Sequence, residues 1–547
     1  MRRWNGWGYE TVHATLPAPA ARMLEERLGP GTPQDDVRLA EIVRVVPASA
    51  LPPHPLITAE PVGRVRHARG QSLPDWIALR SGRIGRFPDG VAYPASQSEV
   101  RNLLRYAAEA EARLIPYGGG TSVVGHVNPP AGEQPVLTVD LSRMHRLRRL
   151  DESSRLATFG AGVRGPDLEA ELRARGYTLG HFPQSWEFST LGGWIATRSS
   201  GQQSLGYGRI EQLFAGGRLE APAGTLELAP FPASAAGPDL REVVLGSEGR
   251  LGVLIEATVR VRPVPEEEHF DAVLLPDRER GFAAARSLAQ AGLPLSMLRL
   301  LGPEETFVTL MLAGRERLPG VVEWLLSWRG IGEERCLLLL GVSGAGAVVS
   351  AARREALALA LAAGGVQLGR SPGRHWKRNR FRSAYLRNTL WEMGYALDTV
   401  ETAAPWSRIP GMVSSVEEAL RSGLLAEEER VLAFSHLSHL YPSGSSAYFT
   451  CLFRIAPDPE ETLRRWQVLK AAATRAIIEK GGTLSHQHGV GADHRAYLER
   501  EKGAVGVSAL RALCTAVDPS GIMNPEKLLP EEEVCGVVTG AIGSGRG

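Results

Sequence analysis

Three glycine-rich stretches constrain this chain more than anything else in it. They lie at 116–125, 183–208 and 246–255. Each interleaves glycine with apolar anchors, which a disordered linker would lack. The first is Pro116-Tyr117-Gly118-Gly119-Gly120-Thr121-Ser122, closing at Gly125, directly after the strand-like Arg113-Leu114-Ile115. Glycine takes positive φ and lets a ligand come close to the backbone. Consecutive backbone N–H groups then form a nest for an anion, and Thr121 and Ser122 add hydroxyl donors. A flexible surface turn is the plainer alternative for this stretch alone. No Gly-Lys-Ser/Thr follows, which excludes a Walker loop.

The second stretch supplies Pro183, Ser185, Ser189, Thr190, Gly192, Gly193, Thr197, Ser199, Ser200, Gly201 and Tyr207. Small residues between aromatic and aliphatic anchors suit a backbone laid against a flat cofactor, or a packed Ω-loop. The third, Gly246-Ser247-Glu248-Gly249-Arg250-Leu251-Gly252-Val253-Leu254-Ile255, runs straight into a strand. Alone it could be a hairpin turn. It opens no helix, so it is not a Rossmann fingerprint.

A chain of 547 residues is too long for a single core. The reading is α+β, with a helical extension at 1–80, a first domain at 81–265, a cap at 266–480 and a return to the first domain at 481–547. Ser96 and Glu99 make a capping-box signature before Val100, Leu103, Leu104 and Ala107, spaced for one helix face. In the cap, strands are expected at Phe270–Leu275, Cys336–Val342, Val431–Leu437 and Ala447–Phe453. Helices are expected at Gly281–Gln290 and Ser350–Ala363. The 62 basic and 60 acidic residues leave a net charge of +2, which gives no case for a nucleic-acid partner. Cys336, Cys451, Cys514 and Cys535 form no C-x-x-C pair, so neither a disulfide framework nor a zinc site is expected. A reducing, cytoplasmic setting fits best. No apolar h-region follows the first residues and no run is long enough to span a bilayer. The tail after Leu529, acidic and then glycine-rich, reads as frayed.

Together the three stretches resemble, in order and spacing, the FAD-binding domain shared by vanillyl-alcohol oxidase, D-lactate dehydrogenase and the alkyl-dihydroxyacetonephosphate synthases. The resemblance implies a two-subdomain FAD-binding fold of vanillyl-alcohol-oxidase (PCMH) type with an α+β cap. It implies that Pro116, Gly118, Gly119, Gly120, Thr121, Ser122 and Gly125 hold the pyrophosphate. The second stretch, with Glu248, Gly249, Gly252, Val253 and Ile255, would contact the isoalloxazine and ribityl regions. The run Val517–Pro525, with Asn524, resembles a C-terminal segment that closes over the flavin. No histidine or cysteine within the loops is placed for a covalent bond, so FAD is expected to be held non-covalently.

Within that family the synthase branch is matched by Arg3-Trp4-Asn5-Gly6-Trp7-Gly8, Trp186-Glu187-Phe188-Ser189-Thr190, Glu401-Thr402-Ala403-Ala404-Pro405-Trp406 and Leu484-Ser485-His486-Gln487-His488-Gly489-Val490-Gly491. The metal-dependent 2-hydroxyacid dehydrogenases of the family carry two histidine ligands where this chain has Tyr441 and Tyr448, and a carboxylate where it has Gln487. Phenol and amide bind divalent metals poorly, so no catalytic metal is expected. The resemblance implies exchange of the acyl group of acyl-dihydroxyacetone phosphate for a fatty alcohol, through an adduct at flavin N5. It implies Tyr448, His486 and His488 as proton-handling groups and Arg299 or Arg408 as the phosphate cation, a role that suits a guanidinium fork. If 486–488 is a strand, alternation sends both histidines toward the flavin. Gln487, where the synthases carry the middle histidine of three, would then point away. An oxidase or dehydrogenase of a hydroxy acid or alcohol is the second reading, and a flavoprotein without turnover the third. The basic run Arg374–Arg382 is a solvated face, or else a flap or peripheral contact with anionic lipid. A homodimer is expected from the resemblance.

Overall fold

The computed structural model describes residues 1–314 and 320–531. Cys535 and most of the tail lie outside the described residues. The first sheet has β1 (Ile57–Thr58), β2 (Gly90–Ala92), β3 (Arg113–Tyr117) and β4 (Val136–Asp140), in the order β1-β2-β4-β3. β4 pairs in parallel with both neighbours and is buried throughout, as a central parallel strand must be. The helix Gln97–Glu109 lays Val100, Leu103, Leu104 and Ala107 on the same core as Leu114, Leu137 and Val139. Only half of its expected capping box forms. Ser96 accepts from the Glu99 N–H, but the Glu99 carboxylate accepts from Ala95 at 2.6 Å.

Next come β5 (Leu147–Asp151), β6 (Leu156–Gly160), β7 (Tyr177–Thr178), β8 (Phe214–Ala221), β9 (Gly224–Leu228), β10 (Val253–Arg260) and β11 (Arg262–Pro263). β7 and β11 pair with each other; the other five form an antiparallel sheet, β5-β6-β10-β8-β9. Both sheets drain into one core, which Leu498, Val507, Cys514, Ile522 and Met523 complete. Residues from 498 on thus pack into the core of the first two sheets. Leu114 pairs with Met523, its N–H donating to Ile522 and its carbonyl accepting from Asn524.

The cap is one seven-stranded antiparallel sheet. Its strands are β12 (Glu267–Leu275), β13 (Leu295–Leu301), β14 (Cys336–Gly344), β15 (Val366–Gly369), β16 (Tyr395–Pro405), β17 (Leu432–Leu440) and β18 (Gly444–Arg454). They run in the order β15-β12-β14-β13-β17-β18-β16. All four expected cap strands are present. One sheet face buries Leu298, Leu300, Leu338, Leu340 and Leu437 with the helices Arg278–Gln290 and Gly346–Ala362. Period-two alternation sends Met297, Leu301, Leu337 and Leu339 to the other face, under Leu326 and Trp376.

Residues 1–80 carry the helices Ala18–Leu28, Leu39–Val45 and Pro61–Arg66 and the start of Leu73–Ser81, wrapped on the body. β1 is an edge strand of the first sheet, while Trp7, Leu73, Trp76 and Ile77 belong to the large cap core. These four side chains are buried there, so the segment is an integral part of that core.

Candidate functional site

The glycine-rich loops are shaped by one another. A Cβ on Gly119 would collide with the Phe188 carbonyl, and Gly120 has φ +62 with the Tyr117 hydroxyl beneath it. The first stretch therefore packs backbone-to-backbone on the second. Asn524 locks the third in place. Its amide donates to the His126 carbonyl at 3.1 Å and to the Glu248 carbonyl at 2.7 Å. The Glu248 carboxylate in turn accepts the N–H groups of Val490 and Gly491.

All three loops face a single cavity of about 1080 Å³. Pro116, Gly118–Ser122, Pro183, Ser185, Ser189, Thr190, Gly192, Gly193, Thr197, Ser199, Ser200, Glu248, Gly249, Gly252 and Asn524 all line it, as expected. Five expected residues do not. Gly125 turns against Ala492 and Asp493, Gly201 backs onto the Phe182 backbone, and Tyr207 packs on Gly180 beneath the Arg262 guanidinium. Val253 and Ile255 point into the sheet core. Adjacency in sequence to a loop did not bring these side chains to its open face.

Beyond the loops the cavity continues between the cap sheet and the helices Pro303–Leu312, Gly320–Trp328 and Arg370–Asn379. That end is apolar, walled by Leu301, Val308, Leu312, Leu326, Leu339 and Trp376. Polar groups gather at the junction. Tyr448 lines it, stacked on His436 (centroids 5.0 Å apart) and edge-on to His488 (5.6 Å). Burial pushes the Tyr448 phenol up to about 12, so it is a proton donor at neutral pH. Burial also lowers His488, partly offset by Glu401. Arg299 lines the cavity but is engaged, at 2.8 Å from Glu305. Burial opposes ionisation of Glu305, yet His436 and Arg299 outweigh it and hold the carboxyl at about 2.

Arg387 is the cation that sequence reasoning missed. Its Nη1 donates to the Gln71 carbonyl at 2.6 Å, and its plane lies over the Trp76 ring. Its Nε and Nη2 are buried without a partner, and no carboxylate pairs with it among the described residues. Burial lowers it to about 10, still charged at neutral pH. Nothing in the mixed helical run Leu386–Trp391, which also holds Asn388 and Thr389, marks this arginine out.

Two expectations about the histidine run fail. Residues 484–490 form a bent loop, not a strand. They wrap the Glu401 carboxylate, which accepts the N–H groups of His486, Gln487 and His488 and the Ser485 hydroxyl. Alternation is thereby lost. Gln487 and His488 both line the cavity, whereas His486 lies behind it, its Nε2 hydrogen-bonded to the Tyr441 hydroxyl at 2.6 Å. Arg408 is a further correction. It is exposed, away from the cavity, and donates to the Gly481 carbonyl at 3.3 Å.

The model of FAD-linked oxidase C-terminal domains matches residues 264–528, and that of an FAD-binding domain matches 88–228. An alkyldihydroxyacetonephosphate synthase of Dictyostelium discoideum is 31% identical over 90% of this chain and 81% of its own length. The chain belongs to the alkyldihydroxyacetonephosphate synthase branch of the FAD-linked oxidases. A crystal structure of such a synthase superimposes with a TM-score of 0.81 at 26% identity, covering 96% of this chain and 99% of that one. p-Cresol methylhydroxylase shares the fold alone, with a TM-score of 0.65 at 14% identity over 86% of this chain and 93% of that one. This member of the synthase branch is therefore an FAD enzyme of PCMH-type fold. Its residues fit the cofactor: the cleft is lined by backbone that tolerates no Cβ, and the Asn524 Oδ1 is buried there without a partner.

Proposed function

We propose that the protein exchanges the acyl group of an acyl-dihydroxyacetone phosphate for a fatty alcohol, giving the ether lipid and a free fatty acid with no net oxidation. The observation that carries this reading is the buried, unpaired Arg387 guanidinium at the junction between the flavin cleft and an apolar chamber. A buried cation without a carboxylate is costly unless a ligand supplies the anion. The apolar chamber suits the chains, and Arg387 suits the phosphate, with Arg299 held nearby by Glu305. Bound FAD supplies the reactive centre for the exchange. Tyr448, un-ionised and flanked by His436 and His488, holds a proton where the departing carboxylate needs one. His488 is kept mainly neutral and can accept a proton from the dihydroxyacetone carbon or the alcohol. FAD is held by backbone and hydrogen bonds, without a covalent link.

A peripheral contact with anionic bilayers fits the same reading, because the outer side of the chamber wall is unusual. Trp324 and Trp328 are 65% and 75% exposed. Arg370, Arg374 and Arg378 stand exposed one helical turn apart, in no ion pair among the described residues. Arg380 does not join them, since its guanidinium packs on Phe182 and Phe381. Among the described residues no helix is long and apolar enough to cross a membrane. The family resemblance supports a homodimer, which sedimentation would read.

The deciding experiment is anaerobic mixing of FAD-loaded protein with palmitoyl-dihydroxyacetone phosphate and then hexadecanol. The expected products are hexadecyl-dihydroxyacetone phosphate and palmitate, with no lasting flavin reduction. Absence of the ether, with reduction by a hydroxy acid instead, would establish the oxidase reading.

A further inference from the structure

His439 is cavity-lining and unused by the chemistry above. On β17, Phe434, His436 and Ser438 face the cavity at every second position. Strict alternation would turn residue 439 to the opposite face, where Leu437 lies in the core. The pairing of β17 with β18 instead slips between Ser438 and Leu440, and His439 adopts φ +51. A left-handed non-glycine residue costs roughly 1–3 kcal/mol and persists where the surroundings impose it. A bulge of this kind re-aims a side chain, and here it aims His439 into the cavity.

The ring is held but not satisfied. It stacks on His486, with centroids 5.2 Å apart and planes 26° apart. His486 is itself fixed by the Tyr441 hydroxyl and the Glu401 carboxylate. Neither nitrogen of His439 has a hydrogen-bond partner among the described residues, and Nδ1 is buried. Burial, with Arg209, His436, Arg299 and His181 around it, drives its pKa down to about 3. The ring is therefore neutral at working pH, one nitrogen a donor and the other an acceptor. Gln487, next to the His486 on which this ring stacks, lines the same cavity with an amide where the resemblance to the synthases implies an imidazole.

We propose that His439, turned inward by the bulge in β17, supplies from the neighbouring strand the cavity imidazole that this chain lacks at position 487, and hydrogen-bonds the reacting oxygen of the bound dihydroxyacetone substrate. The proposal rests on the synthase reading for the identity of that oxygen. It predicts that the two positions are exchangeable: an imidazole at either one serves.

The test compares wild-type holoenzyme with His439→Gln, Gln487→His and the double exchange, each checked for bound FAD and melting temperature. Loss of one donor aimed at developing charge costs about 100-fold or more, and that is the expected fall in kcat/KM for His439→Gln. The double exchange should recover at least about tenfold of it. His439→Asn, which tolerates the left-handed backbone, replaces the glutamine variant if that one fails to fold. Activity within twofold of wild type in the folded variant overturns the role of His439 alone, as does a double exchange no better than the single. A wild-type enzyme that makes no ether overturns this role and the synthase reading together.

Discussion

On the flavin side the cavity wall is mostly backbone. Gly118, Gly119, Gly192 and Gly249 let segments from distant parts of the chain approach where a Cβ would stand in the way. On the cap side the wall is mostly side chain: Tyr448, His436 and Arg299 project from the cap sheet, His439 from the bulge in β17, and Arg387 from a short helix. The first wall holds a cofactor common to the whole fold family; the second decides what is done with it. Backbone walls fail by collision, and side-chain walls fail by loss of one functional group while the shape survives.

Tyr448→Phe gives the sharpest separation of the two. Removing the hydroxyl should cut turnover by roughly a thousandfold, within the range for a proton-transferring group. FAD content should be unchanged; FAD loss alongside activity would mean the cap wall also holds the cofactor. Gly119→Ala is the converse. Its Cβ would meet the Phe188 carbonyl, so purified protein should carry less than about half of the wild-type flavin while the cap sheet stays folded, a typical 1–3 kcal/mol overpacking penalty. Full flavin occupancy, read by absorbance, would show that the loop yields.

Acidity should strain both walls. His181 on the flavin side and His439 on the cap side are held at about 3, chiefly by burial. A histidine whose folded pKa is depressed binds fewer protons folded than unfolded. Its stability contribution is complete above about 6.5 and is lost as pH falls toward 3. Each group costs at most about 1.4 kcal/mol per pH unit in that window. The melting temperature should therefore drop steadily from pH 6.5 to 4.5, and less steeply in His439→Asn; equal slopes would place that ring in water. Smallest of all, Arg408→Ala should leave activity within about twofold, since its side chain is solvent-exposed.

This contrast also explains what the sequence disclosed. The flavin wall is legible because close backbone approach demands glycine at fixed positions, and that demand is written locally. Most of its expected residues do face the cavity; of the five misses, Val253 and Ile255 are strand residues just past a loop, and Gly125, Gly201 and Tyr207 turn against neighbouring protein. The cap wall is written in long-range terms. Tyr448, His488 and Arg299 were reached through family motifs. Arg387 and His439 carry no local mark, because one depends on an absent carboxylate and the other on a slip in strand pairing. The histidine run was misread as a strand for a related reason. Its shape comes from Glu401, eighty-odd residues away, and no periodicity within 484–490 reports that carboxylate.

The cleft draws on Trp7 near one end of the chain and Asn524 near the other, with every domain between them contributing. Asn524 bridges two of the loops, and its neighbour Met523 pairs with the strand that leads into the first of them. During synthesis the glycine loops emerge early, yet their final cross-link is among the last described residues to leave the ribosome. The loop that holds the cofactor is thus clasped by a segment about four hundred residues further along the chain, so its final shape depends on long-range docking and not on local sequence alone.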